Sequence, residues 1–282
     1  MSQGPDKHRS ALPGFLKNRR TVQLVALILA NVYFLNFLRF LPCGYLQCSN
    51  CVASTFTCPL ILFQRGAVMA STGMLSTGIG AKVIASMAAG LAMLMAFGAA
   101  LGSWACGWLC PFGFIQDIVY RIRALKFRLP LWSGHLRIPL FVALGIALPY
   151  LTRSLFFCDI CPSGTVNRLW QQAAGIPLFF KTPEGIVAMV SIGVLLLITA
   201  LSVFTSRPFC TILCPIGGLH GSMNRISGMY LKVDRDGCRD CGLCQTKCPQ
   251  GIDPSKEPSH SLCTRCLECT RTCRHIKLDI RI

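Results

Sequence analysis

The sequence predicts an α-helical membrane protein with a small cysteine-rich module after its last span, and three observations predict it. Hydrophobic residues make up 52% of the 282 positions and charged residues only 14%, with a mean hydropathy of +0.52, well away from the composition of a soluble domain. Several uncharged segments approach the roughly 20 residues that a helix needs to cross a hydrocarbon core of about 30 Å. The chain also holds 18 cysteines, too many for a disulfide scaffold in so long and apolar a chain, which points to metal. A few spans and one small module use up the length, so a large catalytic domain is excluded.

Four segments qualify as spans: Val22–Leu38, Val83–Ala105, Ile138–Thr152 and Ile186–Thr205. The second is apolar all round with interleaved Gly and Ala, which suits close helix packing in lipid better than the core of a soluble protein. The third is short, with Pro139 placed for a first helical turn and Pro149 placed to kink its far end. The formal charge of +17 is explained by topology. Of the 28 Lys and Arg, 5 precede the first span, 5 lie in Cys106–Arg137 and 12 follow Ser206. That distribution puts both termini on the cytoplasmic side of a bacterial-type plasma membrane. No nucleic-acid-binding signature accompanies the basic residues. The first span reads as an uncleaved anchor, because no small-residue cleavage site follows it.

After Met229 the chain turns polar and carries Cys238-x2-Cys241-x2-Cys244-x3-Cys248-Pro249, then Cys263-x2-Cys266-x2-Cys269-x3-Cys273. Three thiolates at this spacing wrap three corners of one [4Fe-4S] cubane, while the fourth reaches the neighbouring cluster. The expected ligand sets are therefore Cys238, Cys241, Cys244 and Cys273 for one cluster, and Cys263, Cys266, Cys269 and Cys248 for the other. Structural zinc, which favours paired Cys-x2-Cys units, is the competing reading. The expected organisation is a basic amino terminus over 1–21, a four-span domain over 22–227 and a two-cluster ferredoxin-like α+β domain over 228–282.

The remaining cysteines sit at span ends. Cys106-x3-Cys110-Pro111 closes the second span and Cys210-x3-Cys214-Pro215 the fourth, while Cys58-Pro59 and Cys161-Pro162 follow the first and third. This predicts a tandem two-span repeat with a pseudo-two-fold axis along the membrane normal. Such an axis brings Cys106, Cys110, Cys210 and Cys214 together at the inner face as the four thiols of a third cluster, or else as a redox disulfide or free thiols. At the outer face, Cys158 and Cys161 with two of Cys48, Cys51 and Cys58 could form a further metal centre. A disulfide there is an equal alternative on an oxidising side.

Together these motifs resemble the membrane ferredoxin-type quinol dehydrogenase components of the NapH, MauN and NosR kind, over nearly the whole chain from Thr21. Cys43–Cys58 and the Cys158-x2-Cys161-Pro motif depart from that pattern. The resemblance implies quinol oxidation, with electrons passed through clusters to a redox partner such as a periplasmic ferredoxin-type protein or a multihaem cytochrome, in a multi-subunit complex. The alternative is a membrane-anchored accessory protein, resembling the CcoG type, that reduces or matures a metal centre on another protein. Trp104, Trp108 and Phe112 are candidates for a quinone pocket, against the plainer reading of an interfacial aromatic belt. All five histidines lie outside the four spans, so no haem is expected. His135 and His220 read as solvated, and Asp117 as solvated or capping. Nucleotide-binding glycine motifs are missing.

Overall fold

A computed structural model describes residues 18–31, 60–76, 78–122, 124–173 and 185–281. Cys43, Cys48, Cys51 and Cys58, and the predicted first span beyond Asn31, lie outside the described residues.

The described chain is mostly helical. Helix α1 covers Arg19–Asn31, α2 Leu60–Ser71 and α3 Gly78–Leu101. A turn leads to the short α4, Trp104–Trp108, and then to α5, Pro111–Val119. A composite helix, α6, runs Leu131–Thr152, and the short α7 covers Phe156–Ile160 and α8 Pro162–Ala173. Helix α9 is Ile186–Phe204, followed by α10, Pro208–Ile212, and α11, Pro215–Ser222. The carboxy-terminal module pairs β1, Met229–Val233, with β2, Ile276–Ile280, as an antiparallel ribbon in which Leu231 faces Leu278. Short helices α12, Leu243–Thr246, and α13, Glu268–Thr272, follow the two cysteine loops.

Among the described residues three helices are long and apolar enough to span a membrane: Gly80–Leu101, Leu131–Thr152 and Ile186–Phe204. Their outward faces carry bare hydrocarbon such as Phe97, Met189 and Leu196, which suits contact with lipid. Two spans differ from the sequence expectation. The helix expected to reach Ala105 stops at Leu101, because Gly102 takes a left-handed conformation (φ +57°) in the turn before α4. The third span is not short, since it begins seven residues earlier than expected, at Leu131. It absorbs Pro149, which lacks an N–H to bond back into the preceding turn, through a π-helical stretch at Ala143–Ala147. It ends at Arg153, in the left-handed region at φ +52°.

The module docks on the ends of the spans through buried polar contacts. Arg265, about 1% exposed, donates to the carbonyls of Leu101 (2.9 Å) and Asn224 (2.9 Å) and to Ser227 Oγ (2.6 Å). The Trp108 indole donates to the Arg265 carbonyl at 2.9 Å, and Ser103 donates to the Cys263 carbonyl. Gly107 and Gly221 permit close approach, because a Cβ at either would lie 2.1 Å from a module carbonyl oxygen, that of Thr264 or Ser261. The cluster loop of the module and the turn after α3 thus form one packed unit.

Candidate iron-sulfur sites

In the module the two cysteine loops share a backbone path. Asp240 and Arg265, each just before the second cysteine of its run, both sit at φ +48°, and Gly242 (+67°) and Leu267 (+62°) follow. Left-handed residues at matching positions curl each loop so that its thiols face one point. The second loop closes on a small cavity lined by Cys263, Cys266 and Cys269 together with Cys248 from the first run. On the other side, Cys244 feels the neighbouring Cys273, and Cys238 and Cys241 lie nearer the surface. Burial first, then Cys266, pushes the Cys248 thiol up to about 11, and burial likewise takes Cys263 up to about 12. Buried thiols that oppose one another's ionisation are a poor resting place for protons and a good one for a compact cationic core, which holds each sulfur as thiolate.

A second thiol site lies where the spans meet the module. Cys106, Cys110, Cys210 and Cys214 line one apolar cavity of about 110 Å³, walled by Leu60, Phe112, Phe157 and Phe209, and no carboxylate lines it. Burial, then the neighbouring Cys110 and Cys210, raises the Cys106 thiol to about 12. Burial, then Cys106, raises Cys214 to about 12, and Cys210 is pushed up for the same reasons. Soft sulfur donors in an apolar, water-poor cavity fit an iron-sulfur cluster. Among the described residues no three Cys, His, Asp or Glu side chains close tightly enough to hold a single metal ion; ligand sulfurs around a cubane stand further apart than those around one ion.

Cys161 lines this same cavity, which corrects its expected place at the opposite membrane face. Past Arg153 the chain does not remain beyond the span. Its apolar segment folds back, Phe157 becomes buried, and Cys161 packs on the cluster of Phe112, Ile198 and Phe209. Helix α8 then starts at Pro162 and has 12 residues, about 18 Å and well short of a span. Helix α2 has the same length and also starts straight after a Cys-Pro pair, and its first residue, Leu60, lines the cavity too.

A common turn explains how the thiols are held. Cys110-Pro-Phe-Gly113, Cys161-Pro-Ser-Gly164 and Cys214-Pro-Ile-Gly217 each place cysteine before the first residue of a helix, with proline opening it. The backbone N–H of Gly113 donates to Cys110 Sγ, and that of Gly217 to Cys214 Sγ, both at 3.4 Å; Cys161 receives the corresponding N–H of Gly164. Proline gives up an N–H that a helix start leaves unpaired anyway, and the cysteine takes one that would otherwise be orphaned. Space favours the glycine. A Cβ at Gly164 or Gly217 would crowd the carbonyl of Cys158 (3.1 Å) or Cys210 (3.2 Å), the first cysteine of the same motif, and one at Gly113 would crowd the Arg207 guanidinium (3.2 Å).

Six residues after the cysteine of three Cys-Pro pairs, those at Cys58, Cys110 and Cys214, comes a polar side chain that reaches across to another motif. Gln116 Nε2 donates to Cys210 Sγ at 3.4 Å, and Gln64 Nε2 to Cys158 Sγ at 3.3 Å. His220 Nδ1 lies 3.8 Å from Cys106 Sγ. His220 is about 2% exposed and its pKa is lowered by burial, so the expectation of a solvated histidine is overturned: its ring packs beside Gly98 of α3 and lines the thiol cavity. The signal was available, since Gln64, Gln116, Asn167 and His220 all hold that sixth position.

Asp117 is neither solvated nor a helix cap. It accepts from Arg207 Nε (2.8 Å) and Nη2 (2.6 Å) and from Arg19 Nη2 (2.5 Å). Burial acts to raise its pKa, and the guanidiniums, Arg207 foremost, override that and hold the carboxyl below its usual range. Arg207 also donates to the Cys106 carbonyl at 2.7 Å, so the clamp fixes the backbone of a cavity cysteine. The expected aromatic slot does not form. Trp108 is fully buried in the module-side core, with Trp104 stacked on it at 5.8 Å, whereas Phe112 meets Phe209 edge-on at the thiol cavity.

The two sites adjoin. A narrow cavity between them is lined by Cys106 and Cys210 from one and by Cys263 from the other, with Gln250 and Thr264 alongside. Comparison with known proteins agrees with the chemistry. A 4Fe-4S binding domain model matches residues 83–130, 135–181 and 187–233, just over half of the chain, and each match contains one Cys-Pro-x-Gly turn. The chain belongs to this 4Fe-4S binding family. It is 26% identical to an uncharacterized protein of Methanocaldococcus jannaschii, over 68% of this chain and 77% of that protein. It is 30% identical to the regulatory protein NosR of Stutzerimonas stutzeri over 59% of this chain, and spans only 23% of NosR. It is 26% identical to the methylamine utilization ferredoxin-type protein MauN of Methylorubrum extorquens, over 59% of this chain and 55% of MauN. No solved structure matches. The resemblance to MauN and NosR is thus borne out, and the chain is an iron-sulfur electron-transfer protein of the membrane.

Proposed function

We propose that the chain oxidises quinol in a bacterial-type plasma membrane and passes the electrons one at a time to a partner redox protein. The observation that carries this reading is the continuity of the thiol sites: Cys263 borders both the module cavity and the one shared with Cys106 and Cys210. The clusters, when bound, supply one-electron stations. In this reading Cys238, Cys241, Cys244 and Cys273 hold one, Cys263, Cys266, Cys269 and Cys248 a second, and Cys106, Cys110, Cys210 and Cys214 a third. Cys161 lines the cavity of the third set, and with Cys158 and two of Cys48, Cys51 and Cys58 it would hold any further centre.

The chain's own residues do the rest. The Cys-Pro-x-Gly turns aim the thiols, the Asp117–Arg207 clamp fixes the Cys106 backbone, and Phe112, Phe157 and Phe209 keep water out. Quinol approaches from lipid on that apolar side, so Trp104 and Trp108 drop out of its pocket. A first span through Val22–Leu38 makes four, arranged as two tandem pairs, with both termini and the 228–282 module cytoplasmic. The partner on the far side is a periplasmic ferredoxin-type protein or a multihaem cytochrome. The similarity to NosR, a regulatory protein, favours a second reading, in which the same path serves to reduce or mature another protein's metal centre. Anaerobic mixing of the purified protein with a reduced quinol decides between them: rapid bleaching of the cluster absorption is expected, and no reduction at a useful rate contradicts quinol oxidation.

A further inference from the structure

A second kind of concave site, polar and cationic, lies apart from the thiol cavities' apolar walls. A cleft of about 870 Å³ opens between the start of α1, the end of α5 and the module, and Cys248 lies in its wall. Its rim carries Arg20, Arg121, Arg128, Lys247 and Arg271, all exposed. Two acids also line it: Asp117, already paired with Arg19 and Arg207, and Glu268, 3.4 Å from Arg271. A concave surface of one sign focuses its field outward and draws in partners of the opposite sign.

We infer that this cleft docks the acidic face of a one-electron carrier protein and gives the chain a second electron port, on the module side. Three observations support a protein partner. The cations come from both the helical part and the module, and two of the five, Lys247 and Arg271, lie on the module rather than in a ring around the spans where lipid headgroups sit. The residues before Asn18 carry Lys7, Arg9 and Lys17 against Asp6 alone, the wrong sign to fill the cleft. The site also abuts a cysteine assigned to a cluster, and short-lived redox complexes need only small, charge-matched interfaces. The reaction balances simply: a reduced carrier loses one electron, the cluster held by Cys248, Cys263, Cys266 and Cys269 gains it, and no bond or proton changes hands. This inference rests on that cluster assignment.

The test uses the holoprotein in nanodiscs of zwitterionic phosphatidylcholine and, as probe, a purified acidic two-cluster ferredoxin. Its binding is expected to weaken by about tenfold between ionic strengths of roughly 0.01 M and 0.15 M. Arg20→Glu with Arg121→Glu should weaken it by a further factor of about ten, while Arg121→Lys retains it. Stopped-flow reduction of the module clusters by the reduced ferredoxin should slow in parallel, with iron content and reduction by dithionite unchanged. Binding that ignores both salt and the double variant overturns the inference, as does a double variant that loses only affinity for vesicles of anionic phosphatidylglycerol. Loss of iron or of dithionite reduction from the unmutated protein would instead count against the cluster assignment.

Discussion

The two thiol regions reach the same chemistry by opposite routes. In the module, each run supplies three ligands within seven residues, and left-handed residues at Asp240, Gly242, Arg265 and Leu267 curl the backbone around one point. At the span ends no segment supplies more than two cysteines. The site exists only because α3, α6 and α9 bring the segments following them together and the module closes over them. What replaces the tight loop is a repeated local turn, Cys-Pro-x-Gly, plus a polar side chain six residues on that reaches a neighbouring motif. Cys248-Pro249-Gln250-Gly251 carries the same four-residue pattern inside the module, with the Cys248 thiol likewise taking backbone N–H bonds from Gln250 and Gly251. One turn thus serves both regions.

This contrast can be broken most severely at the ligands. Cys214→Ser should remove one set of low-temperature EPR signals and spare those of the module clusters, and Cys266→Ser should do the reverse. If either variant erases both sets, the regions are not independent. The next largest effect is at the clamp. Asp117→Asn leaves Arg207, about 2% exposed, buried without its counter-charge, which should cost about 3–5 kcal/mol. A thermal melt in detergent checks this, with Asp234→Asn on the module surface as a control expected to change little. Gly217→Ala should cost about 1–3 kcal/mol, because its new methyl group meets the Cys210 carbonyl at 3.2 Å, and the loss should appear in the same melt. The smallest effect is electronic. Gln116→Leu removes an N–H donor from Cys210 Sγ and should lower the midpoint potential of that centre in a redox titration, leaving iron content and the module potentials alone.

The grouping of thiols in the module was legible because its information is local: the spacing pairs Cys248 with Cys263, Cys266 and Cys269, and these four line one cavity. Three of the four expected spans were legible from apolar length, apart from the end at Gly102 and the earlier start at Leu131. Placement of the other thiols was only half legible. Counting spans put Cys161 on the far side, because nothing in a hydropathy count announces that a chain will turn at Arg153 and fold back into the depth of the spans. His220 and Asp117 read as surface groups for a related reason. Their partners are distant in the chain, Cys106 for His220 and Arg19 and Arg207 for Asp117, and contacts between residues 90 to 114 positions apart leave no periodic trace. The glycines do leave one: Cys-Pro-x-Gly occurs four times, and reading it as a ligand-holding turn would have grouped Cys161 with Cys110 and Cys214.

The central claim is that Cys106, Cys110, Cys210 and Cys214 hold a cluster in addition to the two in the module. Iron and acid-labile sulfide, counted per chain after strictly anaerobic purification, test it most directly. The account predicts at least about twelve of each, falling by about four when these four cysteines are replaced by serine; a count of about eight that the replacement leaves unchanged would contradict it.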